Sequence, residues 1–394
     1  MAGPLDGIRV IDLTAMVSGP LATCVLADQG ADVVKVEPPG TGDLIRQIGC
    51  SRGGISAIFA TLNRNKRSIA LDLRQPAGCR ALSRLVAGAD VFVQNFRPSV
   101  IDAMGFGEPA LRPANPGLVY VSIDGFGETG PWAPRRVYDI VIQALSGMAD
   151  SQSDPRTGEP ELVRNIVCDK ATAWVAAQAI SAALLARARG AGGQHVRLSM
   201  LDATIAFLWP DVLQAHTWLG PGASAPASLA GFLSVRRTAD GHMTIFAISD
   251  REFEGLCRAL GRPELLADPR FADTAARMRH ADALAAMIDE VTRASTSAEL
   301  AARLAAEDVP HAPVNRVATL HEDPQVIANG LVVEMQHPTG GRLRTPRPVA
   351  RFDRTPASLR RPAPVLGEHG AEVLAEAGLA PGEIEALRAE GALG

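Results

Sequence analysis

The chain has 394 residues, of which 47% are hydrophobic and 21% are charged, a composition typical of a soluble globular protein with a sizeable core. Its 39 basic and 43 acidic residues give a formal net charge of −4. This balance argues against a general binder of nucleic acid or anionic membranes, which would carry a clustered basic excess. Only three cations are lysines, so Schiff-base chemistry is limited to Lys35, Lys66 and Lys170.

The cysteine pattern argues against a disulfide framework and a structural metal. The five cysteines are scattered, and none forms a CxxC pair or a Cys/His cluster with zinc-ligand spacing. The N-terminal residues lack the charged and apolar regions of a signal peptide. The most apolar stretch, 171–188, is interrupted by Gln178 and Ser181 and fits a buried helix better than a membrane span. We therefore expect a cytoplasmic protein that carries no metal.

The first 200 residues alternate strand and helix signals. An apolar run at 8–13, a helical stretch at 21–29 and a second strand at 32–36 form a βαβ unit. Further strands are predicted at 68–73, 90–94, 118–123 and 195–199, and helices at 77–87, 139–148, 170–189 and 201–218. Because βαβ units imply a parallel sheet, we predict a large Rossmann-like α/β domain over residues 1–219.

The composition changes at 220–230, a Gly/Ala/Ser/Pro stretch typical of a linker or mobile loop. A smaller α+β domain is predicted over 220–324. The elements predicted there are a hairpin at 231–237 and 242–248 and helices at 250–260, 277–293 and 297–306. From 325 the chain is Pro-rich and irregular before helices near 368–378 and 381–391, and we expect residues 325–394 to return to the large domain.

A glycine motif follows the strand predicted at 118–123. Gly125, Gly127 and Gly130 match G-x-G-x-x-G, which is half of a dinucleotide-binding signature. Pro131 and Pro134 follow at once, so the loop does not open a long helix whose N-terminus could hold a pyrophosphate. We therefore reject a nicotinamide or flavin site, although the glycines permit close approach of backbone to a ligand.

Asp169 lies between an apolar, strand-like stretch at 162–168 and the helix predicted to begin at Lys170. An aspartate at a helix start is usually an N-cap, which accepts hydrogen bonds from the first unpaired N–H groups. The residues alone leave open whether Asp169 is only a cap or also a catalytic carboxylate. The adjacent Cys168 is interpreted as a packing residue because no Cys-His-Asn arrangement is apparent.

The chain resembles the family III CoA-transferases, the group that includes the formyl-CoA and carnitine CoA-transferases. The resemblance runs in order through nearly the whole sequence. The strings that carry it are PLDGIRVIDLT at 4–14, GADVVKVEPPGTGD at 30–43, NRNKRSIALDLR at 63–74, ADVFVQNFRP at 89–98, VSIDGFGETGPW at 121–132, GGQHVRLSMLDA at 192–203, VPHAPVN at 309–315, EDPQV at 322–326 and RRPAPVLGEHGAEVL at 360–374.

The resemblance implies a covalent mechanism centred on Asp169. In that family an aspartate attacks the donor thioester to give a mixed anhydride, and the released CoA thiolate then attacks the aspartyl carbonyl. The acceptor acid collects CoA through the reverse sequence. A carboxylate at a helix N-terminus is expected to stay ionised at neutral pH, which suits a nucleophile.

The resemblance also assigns the contacts to coenzyme A, which enters as acyl-CoA substrate. These contacts fall on Val17, Ser18, Leu71, Asp72, Leu73, Arg74, Asn95, Phe96, Arg97, Arg136, Val137 and Tyr138. Two departures matter, because formyl-CoA transferases carry arginines where this chain has Pro38 and Ala103. The phosphate contacts must therefore be rearranged in part, with Arg46 or Arg74 as candidates.

Two alternatives remain open. An α-methylacyl-CoA racemase shares the fold, but its branch places a histidine where this chain has Tyr138, and a tyrosine of pKa about 10 is a poor proton carrier at neutral pH. A non-catalytic CoA-binding protein is the second alternative, and the presence of Asp169 argues against it.

The acceptor is expected to be a small carboxylic acid. The glycine-run loop that closes over the site in formyl-CoA transferases is missing here, which argues against oxalate. Weaker substrate candidates are Gly125, Gly127 and Glu128 of the glycine loop, and Arg164, which could clamp a distal carboxylate bidentately. This favours a short dicarboxylate such as succinate, itaconate, mesaconate or malate. The resemblance further implies an interlocked homodimer, with no nucleic-acid or membrane partner.

Overall fold

The computed structural model of the chain describes residues 3–154, 157–220, 222 and 234–394. The chain divides into two compact units. The first comprises Met1–Trp209 together with Gly330–Gly394, and the second comprises Pro210–Asn329. The C-terminal segment is thus part of the first unit. The domain boundaries predicted from sequence are at 219/220 and 324/325, so both junctions differ somewhat from those of the compact units.

The strands of the described residues fall into one large parallel sheet and several small antiparallel ones. They are β1 Arg9–Leu13, β2 Asp32–Glu37, β3 Ser51–Arg52, β4 Ile55–Ser56, β5 Arg67–Ala70, β6 Val91–Gln94, β7 Val119–Asp124, β8 His195–Ser199, β9 Arg236–Arg237, β10 His242–Ile245, β11 His311–Pro313, β12 Val332–His337 and β13 Gly341–Pro346.

The α-helices of the described residues are mostly short, and the longest carries Asp169. They are α1 Ser18–Asp28, α2 Ala57–Leu62, α3 Pro76–Ala87, α4 Pro98–Ala103, α5 Glu108–Leu111, α6 Asp139–Leu145, α7 Met148–Ser151, α8 Val167–Ala186, α9 Met200–Leu208, α10 Asp250–Leu260, α11 Thr274–Arg279, α12 Ala281–Ala294, α13 Ser297–Ala306, α14 Pro324–Asn329, α15 Gly370–Glu376 and α16 Pro381–Ala389.

The six-stranded sheet of the first unit has the order β5-β2-β1-β6-β7-β8, and every neighbouring pair is parallel. The predicted α/β fold with a parallel sheet is therefore confirmed. From β1 the chain builds outward through β2 to β5, and then crosses to the other side of β1 to form β6. The sequence order of the strands thus reverses between β1 and β6, which makes this position a topological switch point.

Helices cover both faces of the sheet, because alternate residues of buried parallel strands are apolar on each side. On one face, Val10, Val33 and Val121 pack with alanines of α1 and α8. On the other, Ile11, Phe92 and Tyr120 pack with α3, α15 and α16. The helix at Val167–Ala191 is long and apolar enough to cross a membrane. Its alanines at 173, 176 and 177 are buried against the sheet, as expected of a core helix.

The second unit contains a three-stranded antiparallel sheet, β11-β10-β9, and helices α10 to α14. Its core is formed by apolar residues of β10, α10, α12 and α13, such as Met243, Leu256, Ile288 and Leu300. Ser249 and Thr296 form capping boxes at the starts of α10 and α13, which explains why those two helices begin where the sequence predicts.

The C-terminal segment completes the first unit. Leu374, Ile384 and Leu393 enter the core on one face of the sheet. An isolated antiparallel bridge joins Leu71 to Leu393. The hairpin β12–β13 lies in the stretch that the sequence predicts to be irregular. The prediction is wrong there because charged residues alternate with partly exposed apolar ones and Pro346 ends the second strand.

Other predicted elements differ from the structure mainly in their limits. Residues 162–166 form a loop instead of a strand, and α8 begins three residues before Lys170. Helix α9 ends at Leu208, although apolar residues continue beyond it. The predicted linker at 220–230 lies almost entirely outside the described residues, and so does the first part of the strand predicted at 231–237.

Candidate active site at the switch point of the parallel sheet

The site is built on loops that leave the carboxyl ends of the parallel strands. In open α/β sheets, ligands bind in the crevice outside these ends, at the switch point. Here the loop after β1 contains Val17 and Ser18, and the loop after β6 contains Asn95, Phe96 and Arg97. The sheet thus brings together two segments that the sequence assigns to CoA binding.

Asp169 is the third residue of α8, and Ile166 occupies the N-cap position. No side chain caps this helix, so the interpretation of Asp169 as an N-cap is wrong. The hydroxyl and the backbone N–H of Ser18, at the first turn of α1, instead lie near enough to the Asp169 carboxylate to lower its pKa. The nucleophile candidate therefore lies near a residue that the sequence assigns to the CoA site.

The environment raises the pKa of Asp169 to about 6. Burial is the largest cause, the Asp139 carboxylate adds to it, and the two hydrogen bonds from Ser18 act in the opposite direction. A pKa of about 6 agrees with the expectation that this group stays ionised at neutral pH, although the environment raises the pKa instead of lowering it. At pH 7 the carboxylate is still ionised in a ratio of about ten to one, and it is more basic than an ordinary aspartate.

Asp139 and Gln143 of α6 are site residues that the sequence reasoning missed. The Asp169 backbone N–H donates to Asp139 Oδ2 at 3.0 Å. Gln143 Nε2 donates to Asp139 Oδ1 at 2.6 Å, and both side chains are buried. Their i, i+4 spacing directly after Tyr138 is a sequence signal for a shared helix face. Only the tertiary structure shows that this face meets the start of α8.

Gln143 also fixes the chain that leads into α8. Its Nε2 donates to the carbonyls of Val163 at 3.1 Å and Asn165 at 3.0 Å, and its Oε1 accepts from the Val163 N–H at 2.9 Å. Between these anchored residues, Arg164 has an exposed side chain. The structure therefore presents Arg164 from a fixed loop five residues before Asp169.

The segment 71–74 follows β5 at the same edge of the sheet. The Leu71 side chain lies in the core, and its N–H donates to the Glu37 carbonyl. The Asp72 N–H donates to the Ala392 carbonyl. Arg74 is the exposed cation of this segment and forms an ion pair with Asp72 at 2.8 Å. The assignment of Leu71, Asp72, Leu73 and Arg74 to CoA binding stays a prediction, with Arg74 as its exposed charge.

The fourth predicted CoA segment, Arg136–Tyr138, directly precedes α6. Arg136 and Tyr138 are exposed, and Val137 packs so closely against Gly125 that a Cβ at Gly125 would lie 2.7 Å from the valine. Glycine is required at 125 for this contact. The glycine loop and the predicted CoA segment are thus in direct contact.

The structure corrects one candidate phosphate ligand. Arg46 is buried, and its guanidinium donates to Glu37 Oε2 at 2.7 Å, to Glu37 Oε1 at 2.8 Å and to the Pro364 carbonyl. It also lies over the Phe59 ring at 3.7 Å from the centroid. Arg46 is therefore occupied by internal contacts, which leaves Arg74 of the two candidates named from sequence.

Two other candidate groups are placed as follows. Glu128 forms a half-exposed ion pair with Arg197 at 2.9 Å. Gly127 adopts a left-handed φ of 95°, and its N–H donates to Asp124.

Cys168 is buried, and burial raises the pKa of its thiol to about 11, which makes it a poor nucleophile. Among the described residues, no group of three or more His, Cys, Asp or Glu side chains could hold a metal ion.

A cavity of about 850 Å³ lies elsewhere in the first unit, along β12 and the segment 347–359. Neither Asp169 nor any predicted CoA residue lines it. A smaller cavity of about 210 Å³ lies at the candidate site, where Phe96 and Glu128 line it.

Residues 5–370 match the model of CoA-transferase family III. The chain belongs to this family. The expectation drawn from the sequence motifs is therefore confirmed over nearly the whole chain, and the protein is a CoA-transferase. Such enzymes use CoA thioesters as substrates, so the switch-point crevice is the site to be interpreted in those terms.

Characterised relatives cover nearly the whole chain. The succinate–glutarate CoA-transferase of Agrobacterium fabrum is 36% identical over 386 residues, which cover 95% of each protein. The human succinyl-CoA:glutarate CoA-transferase is 33% identical, covering 95% of this chain and 86% of that protein. The crystal structure of a CaiB/BaiF family protein from Brucella suis is 35% identical, with a TM-score of 0.82 and coverage of 96% of this chain and 100% of that one.

Proposed function

We propose that the protein transfers CoA from succinyl-CoA to a short dicarboxylic acid through covalent intermediates on Asp169. The observation that carries this proposal is the position of Asp169. Its carboxylate is mostly buried, has a raised pKa, and lies at the start of α8 near Ser18 at the switch point. Its raised pKa of about 6 increases nucleophilicity while leaving the ionised form dominant at pH 7.

The transfer proceeds in balanced steps without an external oxidant or reductant. An Asp169 oxygen attacks the donor thioester carbonyl, the C–S bond breaks, and CoA leaves as its thiolate. The thiolate attacks the aspartyl carbonyl of the mixed anhydride, which forms an aspartyl-CoA thioester and releases the donor acid. The acceptor carboxylate then attacks this thioester, which breaks its C–S bond, releases the CoA thiolate and forms a second mixed anhydride. The thiolate attacks the acceptor carbonyl of that anhydride, which forms the new acyl-CoA and regenerates the Asp169 carboxylate.

The hydrogen bonds around Asp169 support these roles. The Ser18 N–H and hydroxyl, which favour the charged form of Asp169, would also stabilise the negative charge that develops when a thiolate or carboxylate adds to the aspartyl carbonyl. Asp139 holds the backbone N–H of Asp169, which fixes the turn that carries the nucleophile. Exposed Arg74, Arg97 and Arg136 supply charge for the CoA phosphates.

The acceptor class is inferred from Arg164 and from the relatives. Arg164 extends from a loop that Gln143 anchors next to α8, which supports the proposal that it pairs with the distal carboxylate of a diacid. The similar transferases carry names that include glutarate, oxalate and D-citramalate as acceptors. Glutarate and citramalate are five-carbon diacids, whereas oxalate is smaller and is disfavoured by the missing glycine-run loop, so we propose a dicarboxylate of four or five carbons as the acceptor.

We further propose a homodimer in the cytoplasm. Helices α8 and α9 pack together and expose large apolar side chains, including Trp174 (52% exposed), Leu185 (53%) and Phe207 (59%). Exposed apolar surface of this kind marks an interaction site on a soluble protein. An interlocked pair of chains, as the family resemblance implies, would cover it.

The acceptor assignment is tested by mixing succinyl-CoA with a panel of mono- and dicarboxylic acids and detecting new acyl-CoA by mass spectrometry. We expect new thioesters with dicarboxylates of four or five carbons, and we expect Arg164→Ala to raise KM for these acids while leaving KM for succinyl-CoA within about threefold. Equal transfer to monocarboxylates would contradict the assignment.

The same samples test the racemase alternative. A 2-methylacyl-CoA incubated in deuterated water without any acceptor acid should retain its α-proton if the protein is a transferase. Exchange of that proton without acceptor would favour racemisation. Absence of both exchange and transfer with every donor would favour a protein that only binds CoA.

A further inference from the structure

The segment Thr14–Met16, which leads from β1 to Ser18, is held by side chains at every step. The Thr14 N–H donates to Asp12 Oδ1 at 3.0 Å, and the Thr14 carbonyl accepts from Lys35 Nζ at 2.8 Å. Asn95 binds both backbone groups of Ala15. Its Oδ1 accepts a hydrogen bond from the Ala15 N–H at 2.9 Å, and its Nδ2 donates to the Ala15 carbonyl at 2.8 Å. The Met16 N–H donates to Asp43 Oδ1 at 3.1 Å.

Five consecutive backbone polar groups are thus bound by four side chains, which we call the loop clamp: Asp12, Lys35, Asp43 and Asn95. The three charged members, Asp12, Lys35 and Asp43, are buried, and each forms an ion pair. Lys35 pairs with Asp43 at 3.0 Å, and Asp12 pairs with Lys66 at 2.8 Å. Buried ion pairs contribute little to stability compared with apolar packing, so their use here points to a requirement for geometry.

The clamped segment has a conformation that the chain would not adopt freely. Met16 has a φ of 68°, in the left-handed region that is unfavourable for a residue with a long side chain. Gly19 lies so close to Thr14 that a Cβ at position 19 would be 2.4 Å from the threonine Cβ. The start of α1 and the loop before it therefore fit together in one arrangement.

This arrangement places Ser18 against the nucleophile. Asn95 follows β6 and Ala15 follows β1, so their paired hydrogen bonds join the two loops that diverge at the switch point. The clamped segment ends two residues before Ser18, the first residue of α1. Helix α1 packs against α8, and the Ser18 hydroxyl and N–H lower the pKa of the Asp169 carboxylate. We propose that the loop clamp is a positioning device, in which Asn95 and Lys35 act through Ser18 to orient Asp169; this inference rests on the proposed covalent role of Asp169.

The inference changes the interpretation of Asn95 and of two of the three lysines. Asn95 is predicted from sequence as a CoA contact, yet both polar atoms of its side-chain amide are hydrogen-bonded to the backbone of Ala15. Lys35 and Lys66 are fully buried in ion pairs beneath the loop. We infer that these two lysines fix the conformation of the loop before Ser18.

The test measures exchange of isotope-labelled succinate into succinyl-CoA in the full-length protein, which needs no second acid. We expect Asn95→Ala to lower kcat about 10- to 100-fold while KM for succinyl-CoA stays within about threefold, because misplacement of a catalytic group affects the reaction more than binding. The matched control is Asn115→Ala. Asn115 donates to two backbone carbonyls, of Val86 and Ala89, at the opposite end of β6, and its replacement should leave kcat within about threefold.

A second pair of variants tests the left-handed conformation without removing a hydrogen-bonding side chain. Met16→Val introduces a β-branched residue that strongly disfavours this conformation, whereas Met16→Gly adopts it freely. We expect Met16→Val to lose at least about tenfold more of kcat than Met16→Gly. Thermal unfolding of each variant reports whether the chain is folded in the assay.

A double-mutant cycle decides whether the loop clamp acts through Ser18. In a Ser18→Ala background, which removes the hydroxyl but keeps the N–H, Asn95→Ala should lower kcat by a smaller factor than in the wild-type background, because one of its two targets is already lost. An undiminished effect in that background, a rise in KM with unchanged kcat, or equal losses in Asn95→Ala and Asn115→Ala would overturn the inference. If Asp169→Ala retains exchange, the proposed function fails; if Asp169→Ala is inactive but Asn95→Ala is not impaired, only the loop clamp fails.

Discussion

At the residue scale, the surroundings of the Asp169 carboxylate have two opposite effects on its pKa. Burial and the neighbouring Asp139 raise its pKa, and the hydrogen bonds from Ser18 lower it, with a net value of about 6. The nucleophile is thus more basic than a surface aspartate and still ionised at the pH of the cell. The two effects can be tested separately.

The first prediction concerns the pH dependence of the rate. Because the ionised form attacks, kcat/KM should fall about tenfold per pH unit below about pH 6. Asp139→Asn removes a charge that raises the pKa, so this acidic limb should move to lower pH. Asp150→Asn, which changes an exposed acid on α7, is the control and should leave the limb in place. A limb that stays near pH 6 in Asp139→Asn would contradict the assigned cause.

The second prediction concerns stability. The folded state raises the pKa of Asp169 above the usual 3.8, so the folded chain binds its proton more tightly than the unfolded chain. The free energy of unfolding therefore falls as the pH rises from about 4 to about 6, and the full loss is present above pH 6. We expect Asp169→Asn to raise the free energy of unfolding by about 1–3 kcal/mol at pH 7, and the gain to vanish below about pH 4. Denaturant titration at both pH values checks this, and a loss of stability at pH 7 would refute it.

At the scale of elements, the C-terminal segment is tied to the first βαβ unit by side chains as well as by core packing. Asn65 donates to Asp28 Oδ1 and to the Ser358 carbonyl, each at 2.8 Å, and its Oδ1 accepts from the N–H groups of Arg360 and Arg361. The Arg360 guanidinium donates to three carbonyls at the end of α1, including that of Ala27 at 2.7 Å. This junction fixes the end of α1 opposite to Ser18.

The third prediction separates the two roles of Asn65, which bridges these segments and has a left-handed φ of 64°. Asn65→Gly removes only the side-chain hydrogen bonds and should lower the free energy of unfolding by about 2–3 kcal/mol. Asn65→Ala also opposes the backbone conformation and should cost about 1 kcal/mol more. Denaturation midpoints measure both. Equal losses would show that the conformation of residue 65 carries no energetic weight.

At the scale of the whole molecule, the parallel sheet gathers segments that are far apart in sequence. The loops after β1, β5 and β6 lie at one edge of the sheet because parallel strands present their carboxyl ends there, and the start of α8 lies near Ser18 at the same edge. The first unit needs the returning C-terminal segment to complete its core. The apolar side chains that α8 and α9 leave exposed are the basis for proposing a second copy.

The fourth prediction concerns that second copy. Light scattering coupled to gel filtration should give twice the mass of one 41.4 kDa chain. Trp174→Arg combined with Phe207→Arg should shift the population toward the monomer or abolish the folded dimer, because charges would replace buried apolar contacts. A wild-type protein that elutes at the mass of one chain would contradict the proposal.

Much of the large sheet could be predicted from sequence because its strands are short apolar runs. Strand β8 has the predicted limits, and β1, β2 and β6 differ by one residue at one end. The hairpin β12–β13 could not be predicted, since its alternation of exposed charged and partly buried residues resembles a loop. The start of α8 was misplaced because no side chain caps it.

The candidate site could be predicted in part for a similar reason. Motifs close in sequence, such as Val17 and Ser18, identify loops that the sheet then brings near Asp169. Asp139, Gln143 and the role of Asn95 in the loop clamp depend on contacts between distant segments. Nothing in the local spacing of these residues distinguishes them from ordinary helix or loop residues.

The central claim is that Asp169 carries the CoA group during transfer, and chemical trapping tests it most directly. The protein is incubated with succinyl-CoA alone, then with hydroxylamine, and digested for peptide mass spectrometry. Hydroxylamine attacks the aspartyl carbonyl and releases the CoA thiol, so we predict a hydroxamate at Asp169 that depends on succinyl-CoA. Transfer activity without a hydroxamate at Asp169, or with one at another carboxylate, would contradict the covalent mechanism.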